Sequence, residues 1–127
     1  MQLSTRQIGD VSVIDVTGKN PGARAASIRD AIARLHASGH FRIVLNLAEL
    51  EYMDSSALGD LVSCNTRASQ SGRPLKVAAL TRRLKELLRV TRLATTFDIY
   101  ETLDEALASY PPRPMDADTA GGDGSKT

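Results

Sequence analysis

Residues 52–62 read Tyr-Met-Asp-Ser-Ser-Ala-Leu-Gly-Asp-Leu-Val. Asp54 stands before an apolar pattern of helical period, and its carboxylate suits the free N–H groups of a first helical turn. Ser55 and Ser56 then take the first helical positions. One cap needs one such residue, and here three stand together. A serine hydroxyl at this place makes physical sense as a modification site. A phosphate there meets unpaired amides and the positive end of the helix dipole. It also adds about −1.5 to −2 charges. With Asp54 alongside, an interface that buries the spot loses affinity through desolvation and repulsion, while the fold changes little. Tyr52 and Met53 predict an exposed apolar rim beside the hydroxyls. The plainer alternative is a triplet that only caps a helix.

Other reactive residue types carry weaker signals. His36 and His40 have i, i+4 spacing, but no thiol or Glu-x-x-His context supports a metal pair, and a cation at a helix end suits the dipole. No metal or cofactor is expected. Cys64 falls beside Leu61 and Ala68 on a helical face and reads as a small core filler rather than a nucleophile. No serine lies in a Gly-x-Ser-x-Gly elbow, and no Gly-rich phosphate loop is present. An enzyme is therefore not expected. Arg82, Arg83, Lys85, Arg89 and Arg92, opposed only by Glu86, make a basic run. It reads as the solvated face of a helix whose leucines point inward, with a phosphate backbone, a lipid headgroup or an acidic protein surface as alternatives.

Periodicity supplies the elements that hold these residues. Val11–Val16 is β-branched and almost continuously apolar, as in a strand buried on both faces. Leu3–Ile8 is weaker and fits an edge strand paired through Gly9-Asp10. Thr17–Gly22 is a loop by composition. Ile28, Ala31, Ile32 and Leu35 recur at helical spacing up to Gly39. Ile43–Leu47 is a second buried strand, and Leu58, Leu61, Val62, Asn65 and Ala68 form the next helical face, closed by Gly72 and Pro74. Leu75–Leu80 reads as a third core strand, Leu84, Leu87, Leu88 and Thr91 as a third helical face, and Phe97–Tyr100 as a short strand. Thr102 to Glu105 matches a capping box before a fourth helix, which Pro111 stops.

The order is β-β-α-β-α-β-α-β-α, an α/β domain with a mixed, mostly parallel sheet and about four helices. Residues 1–110 form that domain. Residues 111–127, rich in Pro, Gly and Asp, read as a disordered tail. The 127 residues carry a net charge of +1, so no global field draws the chain to nucleic acid. One cysteine excludes an intrachain disulfide. No apolar run is long enough for a membrane span, and no signal peptide is visible. A soluble cytoplasmic protein is expected.

At this point the segment Tyr52-Met53-Asp54-Ser55-Ser56-Ala57-Leu58-Gly59 resembles the signature of the STAS domain of bacterial anti-sigma factor antagonists. Ile43–Leu47 is similar to that family's central strand. Arg89–Leu93 and Phe97–Leu107 resemble its closing helix and strand, so the likeness covers about residues 3–110. It implies a STAS fold and assigns the phosphoacceptor to Ser55, the serine directly after the motif's Asp. It implies that Tyr52, Met53, Asp54, Ser55, Ser56, Leu58 and Gly59 meet the partner. That partner is an anti-sigma factor with Ser kinase activity, with a Ser phosphatase to reset the switch, and the antagonist itself is a monomer or weak homodimer without catalysis. Two positions depart from the family's habit. The loop Gly18-Lys19-Asn20-Pro21-Gly22 has no acid, and Ala57 stands at a usual glycine. A STAS docking subunit of a lipid-transport or signalling-scaffold complex, without phospho-switching, is the alternative.

Overall fold

The computed structural model describes residues 2–18, 28–51, 53–72 and 75–110. Its elements are β1 (Gln2–Ile8), β2 (Val11–Gly18), α1 (Ile28–Ala37), β3 (Ile43–Leu50), α2 (Ser55–Gln70), β4 (Lys76–Ala78), α3 (Arg82–Val90), β5 (Asp98–Tyr100) and α4 (Leu103–Ala108). This is the order expected from periodicity. The predicted tail and most of the Thr17–Gly22 loop lie outside the described residues, while Thr17 and Gly18 extend β2 and pair with Glu49 and Leu50 of β3.

The five strands form one sheet in the order β1-β2-β3-β4-β5. β1 pairs antiparallel with β2 through the turn at Gly9, whose left-handed φ of 63° favours glycine. The other neighbours are parallel. β2 and β3 are central, which explains their unbroken apolar runs: both faces are covered. Along β3 the side chains alternate. Ile43, Leu45 and Leu47 face a core shared with Ile28 and Ile32 of α1, Leu61 of α2 and Leu84 and Leu88 of α3. Val44 faces the opposite side, where Val11, Ala78 and Ala106 of α4 make a second, smaller core.

Two strands are shorter than periodicity predicts. β4 stops at Ala78 because Ala79 turns to a left-handed φ of 60° and donates its N–H to the Tyr100 carbonyl at 3.1 Å. Thr81 then caps α3. Phe97 precedes β5 as a buried plug of the main core rather than as its first strand residue.

Between Asp15 and Thr17 of β2 the register with β3 shifts: Asp15 faces Asn46, but Thr17 faces Glu49. Asn46 holds this bulge. Its Nδ2 donates to Asp15 Oδ1 at 2.7 Å, and its Oδ1 accepts from the Ala48 amide at 3.3 Å. Bulges re-aim the chain that follows them. Here that chain leads directly to the Asp-Ser-Ser segment.

Candidate functional site

The site lies where β3 ends and α2 begins. Two contacts tie down this end of the sheet. The Glu51 amide donates to the Gly18 carbonyl at 3.3 Å, which joins the ends of β3 and β2. Thr81 Oγ1 donates to the Leu50 carbonyl at 3.2 Å, which joins the end of β3 to the start of α3. Leu50 is fully buried between these contacts.

Met53 is also buried, with 7% exposure, and belongs to the main core. This corrects the expectation of an apolar rim made with Met53. Its side chain anchors the turn into α2. Two neighbours in an irregular segment point different ways, and no period tells which one goes in. Tyr52 lies outside the described residues.

Asp54 is the N-cap of α2, with extended backbone (φ −80°, ψ 177°). Its Oδ1 accepts from the Ala57 amide at 2.8 Å, and its carbonyl accepts from the Leu58 amide at 2.9 Å. Ser55 and Ser56 are the first two helical residues, and both are exposed. Among the described residues neither hydroxyl makes a hydrogen bond. The first turn of α2 holds no acidic residue, so only the capping carboxylate offsets its positive end.

One turn on, Gly59 is exposed, and a Cβ built there would meet nothing within 4 Å. Glycine in a helix interior costs about 1 kcal/mol against alanine. Its gain here is a flat surface beside the serines, open to close approach. Ala57 and Leu58 are half-buried, and Leu58 packs on the main core while leaving an apolar edge at the surface. Asp60 points sideways and pairs with Arg29 of α1 at 3.0 Å.

The start of α3 stands at the same end of the sheet. The basic run there is less free than its sequence suggests. Lys85 Nζ pairs with Glu101 at 3.2 Å, and Arg89 Nε with Glu86 at 3.0 Å. Arg82, Arg83 and Arg92 are exposed, and among the described residues they form no ion pair. Leu84 and Leu88 are buried as expected, so most of the run is the solvated face of a packed helix.

The remaining candidates fall elsewhere. His36 stacks on Phe41 with ring centroids 5.1 Å apart, at the far end of α1. Cys64 is buried on the inner side of α2. Burial pushes its thiol up, Asp60 adds to that, and Arg29 and Arg67 partly offset it. No helix among the described residues is long and apolar enough to cross a membrane.

Asn65 was legible only as a member of the apolar stripe of α2. It is 5% exposed and bridges two distant segments: its Oδ1 accepts from the Leu75 amide at 2.9 Å, and its Nδ2 donates to the Thr96 carbonyl at 2.7 Å. A polar residue at a core-facing position was the available signal, because such a group needs buried partners.

A family model described as the STAS domain matches residues 2–106. Solved structures share the fold. The crystal structure of an anti-sigma factor antagonist from Mycobacterium paratuberculosis is 25% identical, with a TM-score of 0.71 over 85% of this chain and 92% of that one. The Thermotoga maritima protein TM1081 matches in an NMR structure at 22% identity (TM-score 0.71, 85% of this chain and 87% of that one). It also matches in a crystal structure at 21% identity (TM-score 0.62, 84% and 92%).

Proposed function

Because the chain belongs to the STAS domain family, we propose that it acts as an anti-sigma factor antagonist switched by phosphorylation of Ser55. The observation that carries this reading is the exposed Ser55 hydroxyl at the capped N-terminus of α2, beside the flat surface at Gly59. The likeness to the mycobacterial antagonist supports it.

In the unmodified state the surface of Ser55, Ser56, Leu58 and Gly59 docks on an anti-sigma factor that is also a Ser kinase, and the sigma factor is released. The kinase supplies ATP and Mg²⁺. The Ser55 oxygen attacks the γ-phosphorus, the bond to the ADP oxygen breaks, and a base of the kinase takes the hydroxyl proton. The product holds a phosphate near the free amides of the first helical turn, so α2 itself tolerates it. The docking surface does not. About −1.5 to −2 charges arrive beside the Asp54 carboxylate, and burying them unpaired is costly. The complex parts, and a Ser phosphatase restores the hydroxyl. The chain is a cytoplasmic substrate and binding module, monomeric or weakly dimeric, with no catalysis of its own.

Peptide mass spectrometry of the protein from its native host, during growth and under stress, tests the reading. The expected result is one phosphate on Ser55 that varies with condition and is absent from Ser55→Ala. Titration calorimetry against the partner kinase should show Ser55→Glu binding at least about tenfold more weakly, a loss of about 1.4 kcal/mol, with Ser56→Ala close to wild type. Phosphate on Ser56 alone would move the acceptor, and Ser55→Glu binding as tightly as wild type would remove charge as the switch.

A further inference from the structure

Between α1 and α2, over the starts of β3 and β4, lies a cleft of about 450 Å³. It sits against the C-terminal half of α2, away from the switch serine at the helix start, and the proposed function leaves it unused. Its floor is aliphatic, from Ile32, Ile43, Ala68 and Leu75. Its size falls among small-ligand pockets rather than packing gaps.

The charge around it is one-sided. Arg29 and Arg67 both line the cleft. Arg29 is held by Asp60 at 3.0 Å. Arg67, exposed in the last turn of α2, forms no ion pair among the described residues. Cys64 also lines the cleft, and the charges of Arg29 and Arg67 both oppose the upward shift of its thiol. His36, stacked on Phe41, makes a further lip.

The backbone at the cleft is already satisfied. The Tyr110 hydroxyl accepts from the Ile43 amide at 3.1 Å and donates to the Ile43 carbonyl at 2.9 Å. The Leu75 amide is taken by Asn65. An extended peptide would find no main-chain partners here, so the cleft suits a ligand with an apolar body and one polar end. We propose that the cleft binds a single-chain amphiphile with an anionic head, its chain along the aliphatic floor and its head at Arg67. The head meets a cation that has no competing carboxylate, and the chain covers apolar surface that water otherwise wets.

The test is an NMR titration of the ¹⁵N-labelled full chain with sodium dodecanoate below its micelle concentration, with dodecyltrimethylammonium as the opposite-charge control. Dodecanoate should move the amides of Ile32, Ala68 and Leu75 saturably. Arg67→Glu should weaken binding at least tenfold with amide dispersion intact. Ala68→Trp, which fills the floor, should abolish it. Arg67→Glu keeps the test decisive if the tryptophan variant does not fold. Equal binding of the cationic amphiphile, no groove shifts at all, or shifts centred on β1 or Val90 would each overturn the proposal. So would movement of the same amides on dilution alone, which marks a second copy, or on removal of residues 111–127, which marks the chain's own C-terminal segment.

Discussion

Thr81 Oγ1 donates to the Leu50 carbonyl at 3.2 Å and accepts from the Leu84 amide at 3.3 Å. One hydroxyl thereby caps α3 and fastens it to the strand that delivers Asp54 and Ser55. The two basic residues at the start of α3 and the serines at the start of α2 are held at one end of the sheet by this link.

Thr81→Val keeps the shape and removes both bonds. The expected loss is about 1–2 kcal/mol, the upper part of the range for an N-cap, because a buried carbonyl loses its donor as well. Urea denaturation should show the midpoint falling with an unchanged slope. A loss no larger than that of Thr102→Val, where the hydroxyl caps only the six-residue α4, would mean that the Leu50 bond contributes nothing.

At Asp54 the cap and the charge can be separated. Asp54→Ala removes the acceptor for the Ala57 amide and should cost about 1 kcal/mol. Asp54→Asn keeps an oxygen there and should cost a few tenths at most. If the carboxylate also repels the phosphate, phosphorylated Asp54→Asn should bind the partner better than phosphorylated wild type. Equal binding of the two phosphoproteins would leave Asp54 as a cap alone.

Asn65→Leu would place a larger apolar group where two buried backbone groups need partners. With the Leu75 amide and the Thr96 carbonyl left unpaired, the expected destabilisation is about 2 kcal/mol or more. Hydrogen exchange at Leu75 should accelerate more than exchange in β2. Uniform acceleration across the sheet would show that the bridge has no local role.

The hairpin is coupled to pH through Asp15. The hydrogen bond from Arg6, at 2.7 Å, holds the Asp15 carboxyl below its ordinary range; partial burial opposes this and the bond from Asn46 adds to it. A carboxyl lowered in the folded state stabilises fully above its unfolded value, about 3.9. That contribution is lost as pH falls through the lower folded value. Arg6→Gln should raise the Asp15 midpoint, read by NMR of its side chain, and flatten the stability profile below about pH 4. An unchanged midpoint would show that Asn46, not Arg6, sets it.

The order of elements was readable because burial leaves a period. β2 and β3 are apolar without a break since helices cover both faces, and α1, α2 and α3 show stripes since each is covered on one. The caps at Asp54, Thr81 and Thr102 all accept from their first turns, although only those at Asp54 and Thr102 stood out in the sequence. The ends of β4 and β5 did not, because left-handed backbone at Ala79 and inward packing of Phe97 leave no mark in hydrophobicity.

Around the serines, residue type alone was enough to mark a helix start with free hydroxyls: a capping acid followed by two small polar residues has few other uses. That information is local, and it is carried by the four unpaired amides that every helix start presents. Which side chains stand beside those hydroxyls was not local. Met53 goes into the core, Lys85 pairs with Glu101, and Asn65 finds partners 10 and 31 residues away. Each of these outcomes depends on segments that meet only when the sheet closes against its helices, and so the tertiary structure alone decided them.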